Sequence, residues 1–201
     1  NRLALAPENL VNRPRHLRLV LDALQDRGGA LTEAVVIGHS FGGYTGLALA
    51  GARPVALDGT GAALEIERDP RSRGLVLLAP AVMWFLAPDA FVGLGDIPIL
   101  LRYGAEDSIL PSSLLSTLGP RLGTQVDAAE VAGAGHFSFQ TPFPPEMCTP
   151  DFLPAQDPPN FDRAAYHPDL NDEIAAWLDA NFDGSKRTVY PVSRFAESGK
   201  K

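Results

Sequence analysis

This chain of 201 residues is poor in several residue types, and each shortage excludes something. A single cysteine, Cys148, rules out any disulfide within the chain. Basic residues are outnumbered, 17 Lys and Arg against 24 Asp and Glu, for a net charge of -7. No basic stripe invites nucleic acid and no polybasic segment invites an anionic membrane. No apolar run reaches the ~18 residues of a membrane span, and no signal-peptide pattern opens the chain. The four histidines, His16, His39, His136 and His167, show no metal-ligand spacing, so neither a metal nor a cofactor is expected.

What is present is ordinary for a globular domain: 45% hydrophobic and 20% charged residues, enough to bury a sizeable core. One domain is expected over residues 1–183, with a polar, mobile tail over 184–201.

One stretch organises the rest. Ala34 to Ile37 are apolar, mostly β-branched, and read as a buried strand. Gly38-His39-Ser40-Phe41-Gly42 follows, and then Tyr44 to Ala50 reads as a helix of small residues. Strand, G-x-S-x-G, helix is the pattern of a nucleophile elbow. The turn is tight, so a side chain at Gly38 or Gly42 is expected to collide with neighbouring backbone. Ser40 is then held above the sheet at the helix N-terminus, and the Phe41 amide faces the same spot as an oxyanion donor. Chance produces G-x-S-x-G in fewer than about one in ten chains of this length, and the flanking strand and helix lower that further.

Around this stretch the chain reads as a loop over residues 1–12 and a helix beginning at Pro14 and ending near Gly28-Gly29. Residues 55–73 form a surface excursion. Further strands are expected at 74–79, 97–104 and 125–131, a short helix at 111–118, an irregular proline-rich segment at 142–159, and a last helix at 169–181. Apolar strands alternating with helices predict an α/β fold, a mostly parallel sheet with helices on both faces. Active sites in such sheets lie at the carboxyl ends of strands.

Two residues complete the constellation there. Asp107 follows the third strand in Gly104-Ala105-Glu106-Asp107, and His136 follows the fourth in Gly133-Ala134-Gly135-His136. Serine, acid, histidine is the chain order that the elbow template requires. A serine hydroxyl needs a base to remove its proton, histidine does so near neutral pH, and a carboxylate fixes the histidine's tautomer. Glu106 is the alternative acid. Asp107 is preferred for its place before Ile109-Leu110-Pro111. His39 is expected to point away from the serine and to pack. His16 is read as a surface or core residue, and His167 as a neighbour of the last helix's cap. Trp84 and Phe137 are either core residues or the wall of a substrate pocket.

The motifs from Gly38 to Thr45, from Gly104 to Asp107 and from Gly135 to Phe139, with Phe161 to His167, resemble the α/β-hydrolases of the predicted dienelactone hydrolase group, bordering on the platelet-activating-factor acetylhydrolases. The likeness covers about residues 11–182. It implies the α/β-hydrolase fold and a carboxylic ester hydrolase, with Ser40 as nucleophile, Asp107 as acid, His136 as base and Phe41 as oxyanion donor. The partner it implies is a small-molecule ester. True dienelactone hydrolases use a cysteine nucleophile, so short acyl esters are a better expectation than lactones. The family carries several strands ahead of the helix that leads to the elbow, whereas only about thirty residues precede the elbow strand here. The N-terminal strands, and the loop that supplies a second oxyanion amide, are therefore expected to be missing. The alternative is a silent scaffold or inactive fragment on the same fold that binds a ligand or partner.

Overall fold

In the computed structural model, residues 5–27 and 31–182 are described. The tail expected at 184–201 lies outside them. Four strands form one parallel sheet: β1 (Ala34–His39), β2 (Ser72–Leu78), β3 (Ile99–Gly104) and β4 (Val126–Val131), in the spatial order β1-β2-β3-β4. Among the described residues four α-helices accompany them: α1 (Pro7–Asp26), α2 (Phe41–Ala50), α3 (Ser112–Leu118) and α4 (Arg163–Asn181).

Alternation along the strands sends side chains to two cores. Leu75, Leu77, Ile99 and Leu101 pack with Leu10 of α1, Leu47 of α2 and Leu115 of α3. Val76, Leu78 and Leu100 face the other way, onto Leu170, Ile174 and Trp177 of α4. Both faces are therefore covered, as continuous apolar strands require. β1 is the exception. It is half-buried rather than buried, and Ile37 is 53% exposed, because β1 pairs with β2 alone among the described residues.

Two helices begin earlier than the sequence suggests. α1 starts at Pro7, so residues 7–12 are helical and Pro14 lies inside the helix. A proline there removes the bond to the carbonyl four residues back and normally costs about 3 kcal/mol. That carbonyl, on Leu10, instead accepts the Tyr44 hydroxyl at 3.3 Å. α4 starts at Arg163 rather than Asp169, because the Asp162 carboxylate caps it by accepting the Ala165 amide at 3.0 Å. Pro168 is thus internal, and the carbonyl it frees belongs to exposed Ala164, where water can reach it. His167 lies within α4, not before it. Strict alternation of strands and helices breaks between β2 and β3, where one 3-10 turn, Val92–Leu94, stands in place of a helix. Gly93 packs there against Gly51, where a Cβ would come 2.1 Å from the Gly51 carbonyl oxygen.

The register aligns the carboxyl ends of the strands. His39 sits opposite Leu78, Leu78 opposite Arg102, and Gly104 opposite Val131. Everything that leaves the sheet at those ends shares one rim.

Candidate active site

Ser40 is the first residue beyond β1 and the cap of α2, with φ 51° and ψ -115°. A positive φ is rare for a residue with a side chain and signals a constrained turn. The turn is over-determined by its surroundings. The Ser40 amide donates to the Leu78 carbonyl at 3.0 Å, and the Ser40 carbonyl accepts the amides of Ala81 at 2.9 Å and Tyr44 at 3.2 Å. A Cβ on Gly38 would lie 2.3 Å from the carbonyl carbon of Gly42, and one on Gly43 would lie 2.5 Å from Pro80 Cβ. Gly42 departs from expectation. A Cβ there meets nothing within 4 Å among the described residues, so the crowding falls on Gly38 and Gly43.

His136 opens a 3-10 turn, His136–Phe139, beyond β4. Its Nε2 accepts the Ser40 hydroxyl at 2.9 Å, and its Nδ1–H donates to Asp107 Oδ2 at 2.8 Å. The other carboxylate oxygen of Asp107 accepts the Ile109 and Leu110 amides at 2.8 and 2.7 Å. Burial by itself would raise the Asp107 carboxyl. The His136 hydrogen bond and the two amides outweigh it and hold the group below the usual carboxylate range. Asp107 and His136 are both buried, whereas Glu106 is exposed. Gly104 lets the two loops meet, since a Cβ there would sit 2.2 Å from the Ala134 carbonyl oxygen, which accepts the Glu106 amide at 2.9 Å.

Phe41 is the first residue of α2, so its amide has no acceptor within the helix and none among the described residues, and it lies at the positive end of the dipole. The Phe41 ring lies beneath the Arg13 guanidinium, 5.1 Å from its centroid. Trp84 is 3% exposed and packs behind Phe41 and Tyr44, both at 5.3 Å between centroids. It backs the site rather than forming an open wall. Phe137 is half-buried and meets the His136 ring edge-on at 5.1 Å. His16 is exposed on α1. Among the described residues no group of three or more His, Cys, Asp or Glu is placed to hold a metal ion, and no helix is long and apolar enough to cross a membrane.

The chain also carries a set of supports for His136 that motif reading passed over. Ser138 Oγ accepts the Gly135 amide at 3.0 Å and donates to Asp157 Oδ1 at 2.7 Å. Asp157 is paired with buried Arg163, Nε to Oδ2 at 3.0 Å. His167 Nε2–H donates to the Ser138 carbonyl at 3.2 Å. Asp157 lies in the proline-rich segment that reads as irregular, where no motif marks it, while its partner Arg163 falls in the stretch from Phe161 to His167.

No protein family model matches the sequence, and no curated protein sequence matches it. Solved structures do. Esterase 2 of Thermogutta terrifontis phosphorylated by paraoxon aligns with a TM-score of 0.54 at 15% identity, covering 89% of this chain and 65% of that one. Its propionate-bound form gives 0.53 at 14%, covering 89% and 67%. A truncated carbohydrate esterase from gut microbiota gives 0.51 at 15%, covering 88% and 70%. This chain therefore spans about two thirds of the length of the structures it matches. Likeness at this level, with the all-parallel sheet covered on both faces, establishes the architecture: the chain has the α/β-hydrolase fold.

Proposed function

We propose that this chain is a serine hydrolase that cleaves carboxylic esters through an acyl-enzyme. The observation that carries this reading is the hydrogen-bonded series Ser40 Oγ, His136, Asp107, with distances of 2.9 and 2.8 Å, beside the free Phe41 amide. Ser40 Oγ attacks the ester carbonyl carbon while its proton passes to His136 Nε2. The oxyanion of the tetrahedral intermediate lies against the Phe41 amide. Collapse expels the alkoxide, which takes the proton from His136 and leaves as the alcohol. Water then attacks the acyl carbon by the same route, and the acid leaves with Ser40 restored. Asp107 keeps Nε2 unprotonated in the resting site and stabilises the imidazolium that forms.

The neighbouring esterase 2 is described with propionate bound and as phosphorylated by paraoxon, which supports short acyl esters as the substrate class and a serine open to organophosphorus reagents. A lactone substrate, as in dienelactone hydrolases, is a second form of the same chemistry.

The test is intact mass after a fluorophosphonate, with hydrolysis of acetyl, propionyl and octanoyl p-nitrophenyl esters. One adduct, lost in Ser40→Ala together with at least about 10³-fold of the hydrolysis rate, is expected. Full esterase rate in pure Ser40→Ala overturns the proposal. A folded chain that takes no adduct and hydrolyses nothing favours a scaffold that binds without turnover.

A further inference from the structure

His39 precedes the nucleophile in sequence and takes no part in the steps above. Its Nε2–H donates to the main-chain carbonyl of His136 at 2.8 Å, across 97 residues of chain. The two imidazoles lie 4.9 Å apart between centroids, and Phe137 lies 6.3 Å from His39. On the other ring nitrogen, Gln140 Nε2 approaches His39 Nδ1 at 3.4 Å, while Gln140 Oε1 is buried without a partner among the described residues. This amide orientation matches a ring protonated at Nε2 alone, since a reversed amide would present an acceptor to Nδ1.

We infer that His39 is the positioning residue that ties the loop carrying His136 to the nucleophile strand, and that it acts as the neutral Nε2–H tautomer. This rests on the proposed hydrolase reading. Ser40 follows β1 directly and its amide is held by the Leu78 carbonyl of β2, but His136 stands five residues past the end of β4. The Asp107 bond sets the ring's tautomer and one side of its tilt. The His39 bond fixes the main chain from which that ring hangs, directly beside the serine it must reach. A displacement of about 1 Å between nucleophile and base can cost about 10²-fold in rate, so this contact acts on kcat rather than on binding. The groups that face His39 are consistent with a neutral ring. Burial disfavours its charge, the carbonyl of His136 and the charge of Asp107 favour it, and His136 and Arg163 oppose it, leaving its pKa below the ordinary imidazole value.

The test replaces His39 with leucine, which fills space without a donor, and with glutamine, whose amide nitrogen can reach the same carbonyl. His39→Leu is expected to lose about 10- to 100-fold in kcat with KM within about twofold, and His39→Gln to recover most of it. Should His39→Leu fail to fold, His39→Asn, whose shorter amide cannot reach the carbonyl, supplies the unbonded case. Equal rates in wild type and the unbonded variant overturn the inference, as does equal slowing in the glutamine and unbonded variants, which points to packing alone. A wild type silent toward ester and fluorophosphonate counts against the hydrolase reading, and nitrogen-15 spectra of the rings then decide this one. Nε2–H at His39, with His136 resonances that shift in the unbonded variant and return in His39→Gln, sustain it. Unchanged His136 resonances overturn it.

Discussion

Ser138 and Asp157 are joined by a hydrogen bond of 2.7 Å, and the same Ser138 hydroxyl holds the amide of Gly135, the residue before His136. The base of the site thus rests on a carboxylate whose own charge is met by Arg163, with a side chain only 5% exposed. Asp157→Ala removes the carboxylate from that guanidinium and leaves it the carbonyls of Pro154 and Gln156. Breaking a fully buried pair costs about 3–5 kcal/mol, and the partial exposure of Asp157 reduces this to about 2–3. Thermal unfolding should fall by about 5–10 °C, with a loss of fluorophosphonate labelling. An unchanged midpoint would remove Asp157 from any supporting role.

Asp107 and Glu106 are neighbours with opposite surroundings, the first buried on the His136 ring and the second exposed. Asp107→Asn offers an amide where Nδ1–H needs an acceptor, so the ring is expected to turn to the wrong tautomer and kcat to drop by about 10³–10⁴-fold. Glu106→Gln should stay within about twofold of wild type. Steady-state kinetics on the pair separates the two acids, and a larger loss at Glu106 would reverse the assignment.

Stability should fall in two steps on acidification. His39 has a folded pKa below 6.5, so as pH drops through 6.5 the unfolded chain takes up a proton that the folded chain resists, and stability declines from there downward. Asp107 has a folded pKa below 3.8, so its contribution is complete above 3.8 and is lost as pH falls through the folded value. Urea unfolding between pH 7.5 and 5 should show the first step in wild type and a smaller one in His39→Gln. Superimposable curves would contradict the His39 part.

The strands and the elbow at Ser40 are legible because their signals are local, whereas Asp107 and His136 are picked out by their places after successive strands in the order serine, acid, histidine. β-branched runs mark strands, and G-x-S-x-G packs its geometry into five residues. The helix starts are not legible, since Pro14 and Pro168 look like boundaries until remote or solvent partners for the freed carbonyls are known. Tyr44 stands 34 residues from Leu10, and nothing near Pro14 announces it. The apolar pattern overstates the burial of β1 for a related reason, because an apolar strand carries no mark of how many neighbours it has. In the sequence His39 reads as a packing residue, because its partner is a main-chain carbonyl, which no residue pattern reveals.

The elbow glycines give the sharpest division between what the motif suggests and what the packing requires. G-x-S-x-G names Gly38 and Gly42 alike, yet their surroundings differ. An added methyl at Gly38 would sit 2.3 Å from the carbonyl carbon and 2.4 Å from the carbonyl oxygen of Gly42, both main-chain atoms of the turn that holds Ser40. At Gly43 it would meet Pro80 Cβ at 2.5 Å and Cα at 2.8 Å, the ring and main chain beside β2. Neither neighbour is a flexible side-chain tip, so relief requires moving the strand-to-helix turn itself. Gly38→Ala and Gly43→Ala are therefore each expected to cost about 3 kcal/mol or more and to abolish fluorophosphonate labelling. Gly42→Ala should fold as well as wild type and keep its adduct, since the helical position is unstrained and open. Thermal unfolding with intact mass on the three variants tests this directly. Equal damage at all three positions would overturn the distinction between Gly42 and the two crowded glycines.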